Sequence, residues 1–253
     1  MNIFLGITGA SGAPYAARLL EALAAADCEI GVCASSAGVE VLATELYGNA
    51  RLSRDETLER LLEHADGGNV TVYDPNDWKA PYASGSAKVD AYVICPCSMG
   101  TLGTVASGAM SNLIHRAASV ALKEERRLVL MPRETPLSLI HLRNMLTVKE
   151  AGATVLFLAP GFYHGAETVD DLVDFVVGPG LLPRSRDGRR PGRLRRRPRG
   201  RPDRARLRRR QAVGGMSVAS GRLPAEGVRA MFDRIAPVYD AMNRTMTAGL
   251  DRR

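Results

Sequence analysis

The chain has 253 residues, of which 45% are hydrophobic, enough for the buried core of one large domain or two small ones. The formal net charge of +7 is uneven, because segment 184–210 holds 15 arginines and two acids, and removing that local charge of +13 leaves −6. The body of the chain is therefore mildly acidic, and only this segment argues for a nucleic-acid partner.

Targeting and cysteine signals favour a cytoplasmic protein without membrane contact. The four cysteines show no metal-type CxxC pair, and at this length they do not form a disulfide framework. The apolar start Met1–Leu5 meets Gly6 at once, which predicts a first strand and not a signal peptide. No stretch reaches the ~20 apolar residues that a membrane span needs.

Short β-branched runs alternate with helical stretches from the start of the chain to residue 177. The predicted strands are Ile3–Thr8, Glu29–Ala34, Val70–Tyr73, Ala91–Cys95, Leu128–Met131 and Thr154–Leu158. The predicted helices are Ala13–Ala25, Gly38–Leu46, Thr57–His64, Gly100–Ala106, Leu113–Lys123, Leu137–Glu150 and Val169–Val177. This alternation predicts an α/β fold with a doubly wound, mainly parallel sheet of the flavodoxin-like or Rossmann-like kind.

Glycine, serine and charged residues follow five of these strands. The five loops are Thr8–Gly12, Ser35–Ser36, Pro96–Ser98, Pro132–Glu134 and Pro160–His164. Ligands of open α/β sheets bind outside the carboxyl ends of the strands, so we expect one site where these loops converge.

The turn Gly9–Gly12 joins the first strand to a helix. Glycines let a backbone approach an anion, and a helix N-terminus offers free N–H groups, so a phosphate is the natural ligand. A tight βα turn without a ligand explains the same residues equally well.

Two other motifs favour structural roles. Trp78 lies in a loop, where a core plug is a simpler explanation than a lid over a planar ligand. Cys95 and Cys97 are separated by one residue, which favours a tight strand-end loop over a thiol redox pair. The histidines show no ligand spacing, so we expect no metal.

Taken together in chain order, the motifs of residues 1–178 resemble the flavin prenyltransferase (UbiX) family. The blocks that carry the resemblance are Thr8–Gly12, Ala43–Glu45, Asn76–Trp78, Ala83–Ser86, Cys95–Met99, Asn112–Ile114, Arg116–Ala117, Leu128–Pro136, Ile140–Leu142, Asn144–Met145 and Ala159–His164.

The resemblance implies an enzyme that transfers a dimethylallyl group from dimethylallyl phosphate to reduced FMN. The product, prenylated FMN, serves a partner decarboxylase of the UbiD type. It also implies a flavodoxin-like homododecamer with its sites at subunit contacts and no metal.

The resemblance also implies roles for individual residues. The FMN site comprises Gly9, Ala10, Ser11, Ser35, Ser98, Met99, Gly100, Thr101 and Arg133. The residues for dimethylallyl phosphate are Ser84, Arg116, Lys123, Glu134 and Tyr163. The catalytic set is Ser11 and Glu45 near the reacting edge of the flavin, Trp78 as the wall of the prenyl pocket, and Glu134 as the acid.

One position departs from the family pattern. Family members carry Arg or Lys shortly after the last Val-Val pair, whereas this chain has Pro179 there. Proline supplies no cation and is expected to end the helix, and the lost phosphate contact weakens donor binding by about 1.5–3 kcal/mol.

The residues after 178 form two further segments. Segment 179–215 is mainly Arg, Pro and Gly, and we expect it to be disordered. It is either an electrostatic nucleic-acid or membrane tail or the product of a shifted reading frame, and its near lack of lysine favours the second.

Segment 216–253 resembles the start of the menaquinone/ubiquinone methyltransferase (UbiE/MenG) family, through Gly227–Asp240, Met242–Asn243 and Gly249–Asp251. It stops before any loop for S-adenosylmethionine. We therefore expect a read-through of two neighbouring genes, which hints at a quinone pathway.

Three rival functions remain. A related flavin-dependent decarboxylase, such as phosphopantothenoylcysteine decarboxylase, shares the fold expectation, but Trp78 and the block Pro132–Glu134 favour the prenyltransferase. A nucleic-acid binder would lose affinity on truncation at Gly178, whereas an enzyme would keep its flavin. Pro179 also leaves room for a flavin-binding protein without catalysis.

Overall fold

The computed structural model describes residues 1–66, 68–163 and 165–181, with the backbone alone described for 179–181. His164, most of the predicted Arg/Pro/Gly segment 179–215 and all of the methyltransferase-like segment 216–253 lie outside the described residues.

Strands and helices alternate along the described chain as predicted. The strands are β1 (Asn2–Ile7), β2 (Glu29–Ala34), β3 (Asn69–Val72), β4 (Ala91–Cys97), β5 (Arg127–Pro132) and β6 (Thr154–Val155). The helices are α1 (Ala13–Ala25), α2 (Ser36–Tyr47), α3 (Arg54–Leu62), α4 (Met99–Ser107), α5 (Leu113–Lys123), α6 (Leu139–Glu150) and α7 (Val169–Leu181), with 3₁₀ turns at Glu63–Ala65 and Pro81–Ala83. Among the helices of the described part, none is long and apolar enough to cross a membrane.

The six strands form one parallel sheet in the order β3-β2-β1-β4-β5-β6. This is the strand order of the Rossmann fold, and the chain reverses its direction of progress across the sheet between β1 and β4. The predicted doubly wound sheet is confirmed, and the carboxyl ends of all six strands lie along one rim.

Both faces of the sheet are buried, which explains the uninterrupted apolar runs of the central strands. Leu5 and Ile7 of β1 pack into the core under α1, whereas Phe4 points to the other face. There the Phe4 ring packs against Tyr82 and Tyr92, with ring centroids 4.9 and 6.0 Å away.

Serine caps decide where several helices begin, and the periodicity of apolar residues did not locate them. Ser35 accepts a hydrogen bond from Gly38 N at 3.1 Å, so α2 begins at Ser36 and not at Gly38. Ser53 accepts from Glu56 N at 3.2 Å, so α3 begins three residues before the predicted start. A side-chain acceptor satisfies the free N–H groups of a first turn and so fixes its position.

Two predicted ends differ from the structure by three residues or more. Regular pairing of β6 stops at Val155, although Leu156 N and Leu158 N still donate to the β5 carbonyls of Leu130 and Pro132, at 2.8 and 2.9 Å. Pro179 does not end α7, which runs to Leu181. Proline removes its own N–H and crowds the carbonyl four residues before it, but the N–H groups of the residues after it can still bond to the preceding turn.

An ion pair joins α7 to α1. The Arg18 guanidinium reaches both carboxylate oxygens of Asp174, with Nε–Oδ1 at 2.5 Å and Nη2–Oδ2 at 3.3 Å. Arg18 also contacts Glu21 of its own helix at 2.7 Å. Since the Arg18 side chain is only 15% exposed, the two-point contact with Asp174 fixes α7 against the body of the domain.

We expect Asp174→Asn to lower the free energy of unfolding by about 1 kcal/mol, because one amide cannot accept both guanidinium bonds. Urea denaturation checks this, with Glu21→Gln as the matched control that removes the contact within α1. Equal losses in the two variants would show that α7 does not depend on this ion pair.

Candidate active site

The centre of the rim is a buried threonine between β1 and β4. Thr8 is 2% exposed, its Oγ1 donates to Pro96 O at 2.9 Å, and Ser98 N donates to that Oγ1 at 2.7 Å. The side chain therefore fixes the loop after β1 against the loop after β4, at the point where ligands of such sheets bind.

Two glycines of the loop after β1 allow its backbone to pack closely against neighbouring segments. A Cβ at Gly9 would lie 2.5 Å from the Cβ of Ala37 in α2. Gly12 has φ 136°, a conformation that L side chains rarely adopt, and its missing Cβ would lie 2.9 Å from Leu158 Cδ1. The loop after β1 is thereby held between α2 and the segment after β6.

Glu45 of α2 occupies the N-terminus of α1. Its Oε2 accepts hydrogen bonds from Gly12 N at 2.9 Å and Ala13 N at 2.8 Å. The next residue, Pro14, has no N–H, and Tyr15 N donates to Gly12 O at 3.0 Å. The amides of Gly12 and Ala13 are thus occupied by a carboxylate of the chain itself, which is the anion at the start of α1.

The N-terminus of α4 is the open one. Ser98 Oγ caps the helix by accepting from Thr101 N at 3.2 Å. No hydrogen bond described for this part of the chain uses the amides of Met99 and Gly100, and a Cβ at Gly100 would meet nothing closer than Ser98 Oγ at 3.9 Å. Free amides at an uncrowded helix start are suited to bind an anion.

Arg133 adds a positive charge beside this helix start. Cys97 pairs with Pro132 in the sheet register, so the residues that follow them, Ser98 and Arg133, are neighbours on the rim. Arg133 Nε is buried without a hydrogen-bond partner among the described residues. An unpaired guanidinium nitrogen and free amides together fit the phosphate of a flavin mononucleotide.

We refer to the predicted FMN residues as the rim cluster, because they all follow the carboxyl ends of β1, β2, β4 and β5. The cluster consists of Gly9, Ala10, Ser11, Ser35, Ser98, Met99, Gly100, Thr101 and Arg133.

Ser84, Arg116 and Lys123, which we call the α5 cluster, lie along α5 and the segment that packs on it. Arg116 Nε donates to Ala83 O at 2.9 Å, next to Ser84. Lys123 Nζ contacts Glu124 Oε1 at 2.8 Å, and a Cβ at Gly85 would lie 2.2 Å from that same oxygen. These three of the five residues predicted to bind dimethylallyl phosphate therefore belong to one connected surface.

The end of the α5 cluster points away from the rim cluster. Lys123 ends α5 four residues before the first residue of β5, and Asn2, the first residue of β1, donates to Lys88 O at 3.0 Å. Lys123 and the segment after Ser84 thus lie at the amino ends of the strands. A six-residue strand spans about 20 Å, so one chain does not bring them to the rim cluster.

The remaining predicted residues lie at the surface of the chain. Trp78 is 50% exposed, so the core-plug interpretation is wrong. Tyr163 is 87% exposed and packs edge-on against Phe175. Glu134 accepts from Thr135 N at 3.1 Å, and no described contact joins it to the α5 cluster.

The cysteines lie inside the domain. All four are free and buried. Burial raises the pKa of the Cys95 thiol far above its usual range and that of Cys97 to about 12, so both stay protonated near neutral pH. The described residues contain no group of three or more His, Cys, Asp or Glu side chains placed to hold a metal ion.

Arg126, next to β5, was missed by the sequence reasoning. Its guanidinium donates to Gly85 O and Ala87 O, both at 2.6 Å. No motif points to it, since it sits among the charged residues Glu124–Arg127, which are typical of a solvated turn.

Comparison with known proteins shows the family of the chain. Residues 1–179 match the family described as Flavoprotein. A flavin prenyltransferase UbiX of Pseudomonas aeruginosa is 51% identical over 179 residues, covering 70% of this chain and 85% of that relative. The chain belongs to the flavin prenyltransferase family.

Solved structures of relatives have the same fold. AnUbiX in complex with FMN and dimethylallyl pyrophosphate is 41% identical, with a TM-score of 0.61 over 70% of this chain and 88% of that one. A dodecameric FMN-dependent UbiX-like decarboxylase from Escherichia coli O157:H7 is 38% identical, with a TM-score of 0.62 over 70% and 91%. The flavin prenyltransferase resemblance of residues 1–178 is confirmed.

We expect Glu45→Ala to lower the free energy of unfolding by about 1 kcal/mol, because it removes the acceptor for two amides at the start of α1. Both amides donate to the same oxygen, Oε2, so Glu45→Gln keeps a carbonyl oxygen that can accept both bonds and loses only the charge; it should lose less than half as much. Urea denaturation of both variants tests this. Equal stability of Glu45→Ala and the unmodified chain would show that the carboxylate is not the cap of α1.

Proposed function

We propose that this chain transfers the dimethylallyl group of dimethylallyl phosphate to reduced FMN and releases prenylated FMN. Membership of the flavin prenyltransferase family carries the proposal. The open helix start beside Arg133 supports it, since it suits the phosphate of the flavin.

The rim cluster would hold FMN. The amides of Met99 and Gly100 and the Arg133 guanidinium are available for its phosphate, and the loop Gly9–Ser11 approaches α2 closely enough to form a wall. When bound, reduced FMN supplies the nucleophilic atoms N5 and C6.

The residues proposed to bind dimethylallyl phosphate would promote cleavage of the bond between its phosphate and its allyl group. Breaking the C–O bond leaves negative charge on the phosphate, which Arg116 and Lys123 stabilise, while Glu134 exchanges a proton with it. The exposed ring of Trp78 is free to face the allylic cation and to stabilise it by cation–π attraction.

We assign Glu45 to positioning. Because its Oε2 is engaged by Gly12 N and Ala13 N, the carboxylate holds the loop that carries Ser11. An oxygen of the departing phosphate is then the better candidate for the base that removes the proton from C6.

A complete site would need two copies of the chain. Lys123 lies at the amino end of the sheet and Arg133 at the carboxyl rim, so a second copy must bring its α5 cluster to the rim cluster of the first. Helix α6 offers an apolar surface for such assembly, because Leu139, Ile140 and Leu146 are 61, 67 and 58% exposed. We propose a homo-oligomer, as large as the dodecamer of the Escherichia coli relative.

We further propose that the prenylated FMN passes to a UbiD-type decarboxylase of quinone biosynthesis in the cytoplasm. The four free cysteines suit a reducing compartment. Since Pro179 supplies no cation, we expect weaker donor binding than in relatives with a basic residue at this position.

The division of the chain is also a proposal. Residues 1–178 would form the enzyme, 179–215 a segment from a shifted reading frame, and 216–253 the truncated start of a UbiE/MenG-like methyltransferase. The family match to residues 1–179 supports the first boundary, and resequencing the locus tests the others.

We expect purified protein, reduced FMN and dimethylallyl phosphate, mixed without oxygen, to give a flavin heavier by one five-carbon unit in mass spectrometry. Glu134→Gln should slow this by about 100-fold, because the amide cannot exchange the proton. Glu150→Gln, at the exposed end of α6, is the matched control. Absence of the heavier flavin with the unmodified chain would refute the proposed function, and full activity of Glu134→Gln the role of the acid.

We expect two inactive variants to complement each other. Arg133→Met damages the rim cluster and Lys123→Met the α5 cluster, so each alone should be nearly inactive. Co-expressed with different tags and purified as mixed oligomers, they should regain about a quarter of the activity, because a site built from two chains is intact when both contributions are unmodified. Mixed oligomers without activity would place the whole site in one chain.

A further inference from the structure

Backbone carbonyls of the segment 83–87 are held by two arginines. Arg116 binds Ala83 O at 2.9 Å, and Arg126 binds Gly85 O and Ala87 O at 2.6 Å. These bonds hold alternate residues of the segment that carries Ser84, the proposed hydroxyl ligand of the donor.

The guanidinium N–H groups of Arg126 bind other groups of the protein. Besides Ala87 O, its Nη1 lies 3.4 Å from the hydroxyl of Tyr92, which is fully buried in β4. Arg126 also directly precedes β5, so its backbone is fixed to the sheet. Three of the five N–H groups of the guanidinium are therefore engaged by the protein, two of them by the loop.

Side-chain contacts complete the loop. Ser84 Oγ lies 2.8 Å from Ser86 Oγ and accepts from Ser86 N at 3.3 Å. Glu124 packs against Gly85 and pairs with Lys123 at 2.8 Å. The orientation of Ser84 and that of Lys123 are thus coupled through the same loop.

We propose that Arg126 is a positioning residue for the donor phosphate, which clamps the segment 83–87 so that Ser84 is already placed when dimethylallyl phosphate binds. This inference rests on the proposed function. It goes beyond the residues that the family resemblance assigned, because Arg126 acts only through the loop.

The physical reason is the entropy of the loop. Without the clamp the segment must become ordered as the donor binds, and that cost weakens donor binding. The flavin site at the opposite end of the sheet is left unchanged. We therefore expect an effect on the KM for the donor, with kcat and FMN affinity preserved.

Arg126→Met in the full chain tests this, with Arg127→Met as the matched control, since Arg127 is the next residue and is exposed. Hydrogen–deuterium exchange of peptides covering 83–88, without FMN or donor, should be about tenfold faster in Arg126→Met and unchanged in the control. The KM for dimethylallyl phosphate should rise about tenfold with kcat within about threefold of its original value.

Ser84→Ala separates positioning from direct contact. If Arg126 acts through Ser84, the double variant Arg126→Met/Ser84→Ala should raise the KM no further than the more damaging single variant. If the rises in KM of the two single variants multiply in the double variant, Arg126 contacts the phosphate itself, and the proposal is overturned. Should Arg126→Met fail to fold, Arg126→Lys, which keeps the charge without the fork, should show the same faster exchange and a smaller rise in KM.

Two failures are distinguishable. Unchanged exchange of 83–88 in an enzyme that still makes prenylated flavin overturns the clamp alone. An unmodified chain that makes no prenylated flavin overturns the proposed function, and the role of Arg126 toward the donor with it.

Discussion

The site depends on the hydrogen bonds of Thr8 that join the ends of β1 and β4. In a doubly wound sheet these two strands are where the chain reverses its progress, so the loops after them diverge and leave a crevice. Thr8 is buried and bonds both Pro96 O and Ser98 N, which fixes the width of that crevice. The rim residues of these two loops, Gly9–Ser11 and Ser98–Thr101, follow directly from this contact in the chain.

Two helices begin at this crevice, and their N-termini differ in what they can bind. At the start of α1, Glu45 accepts hydrogen bonds from the amides of Gly12 and Ala13. At the start of α4, the amides of Met99 and Gly100 are open and lie beside the unpaired Arg133 Nε. The chain thus places its own carboxylate at the start of α1, which leaves the start of α4 as the place proposed for the flavin phosphate. The same contact ties α2 to α1 and stiffens the loop that carries Ser11.

The positive charges proposed for the donor lie elsewhere. Lys123 and the clamped segment 83–87 are at the amino ends of the strands, so their chemistry can meet the flavin only across a contact between copies. Assembly would then control activity, since the residues proposed for the flavin and Lys123, proposed for the donor, lie at opposite ends of the sheet in a single chain. Rigidity of the donor loop matters more in such an arrangement, because two surfaces must match when the chains meet.

The sequence by itself determined the alternation of strands and helices, the parallel sheet and the family, because these depend on local periodicity and on short motifs such as Thr8–Gly12. It could not show that Glu45 caps α1 or that Arg126 holds Gly85, since these pairs are 33 and 41 residues apart. The family resemblance implied the residues for dimethylallyl phosphate, but it did not show that Lys123 and Arg133 lie at opposite ends of the sheet. Only the folded chain decides such contacts, because a hydrogen bond between distant residues depends on where the backbone returns and on which donors are still unpaired there.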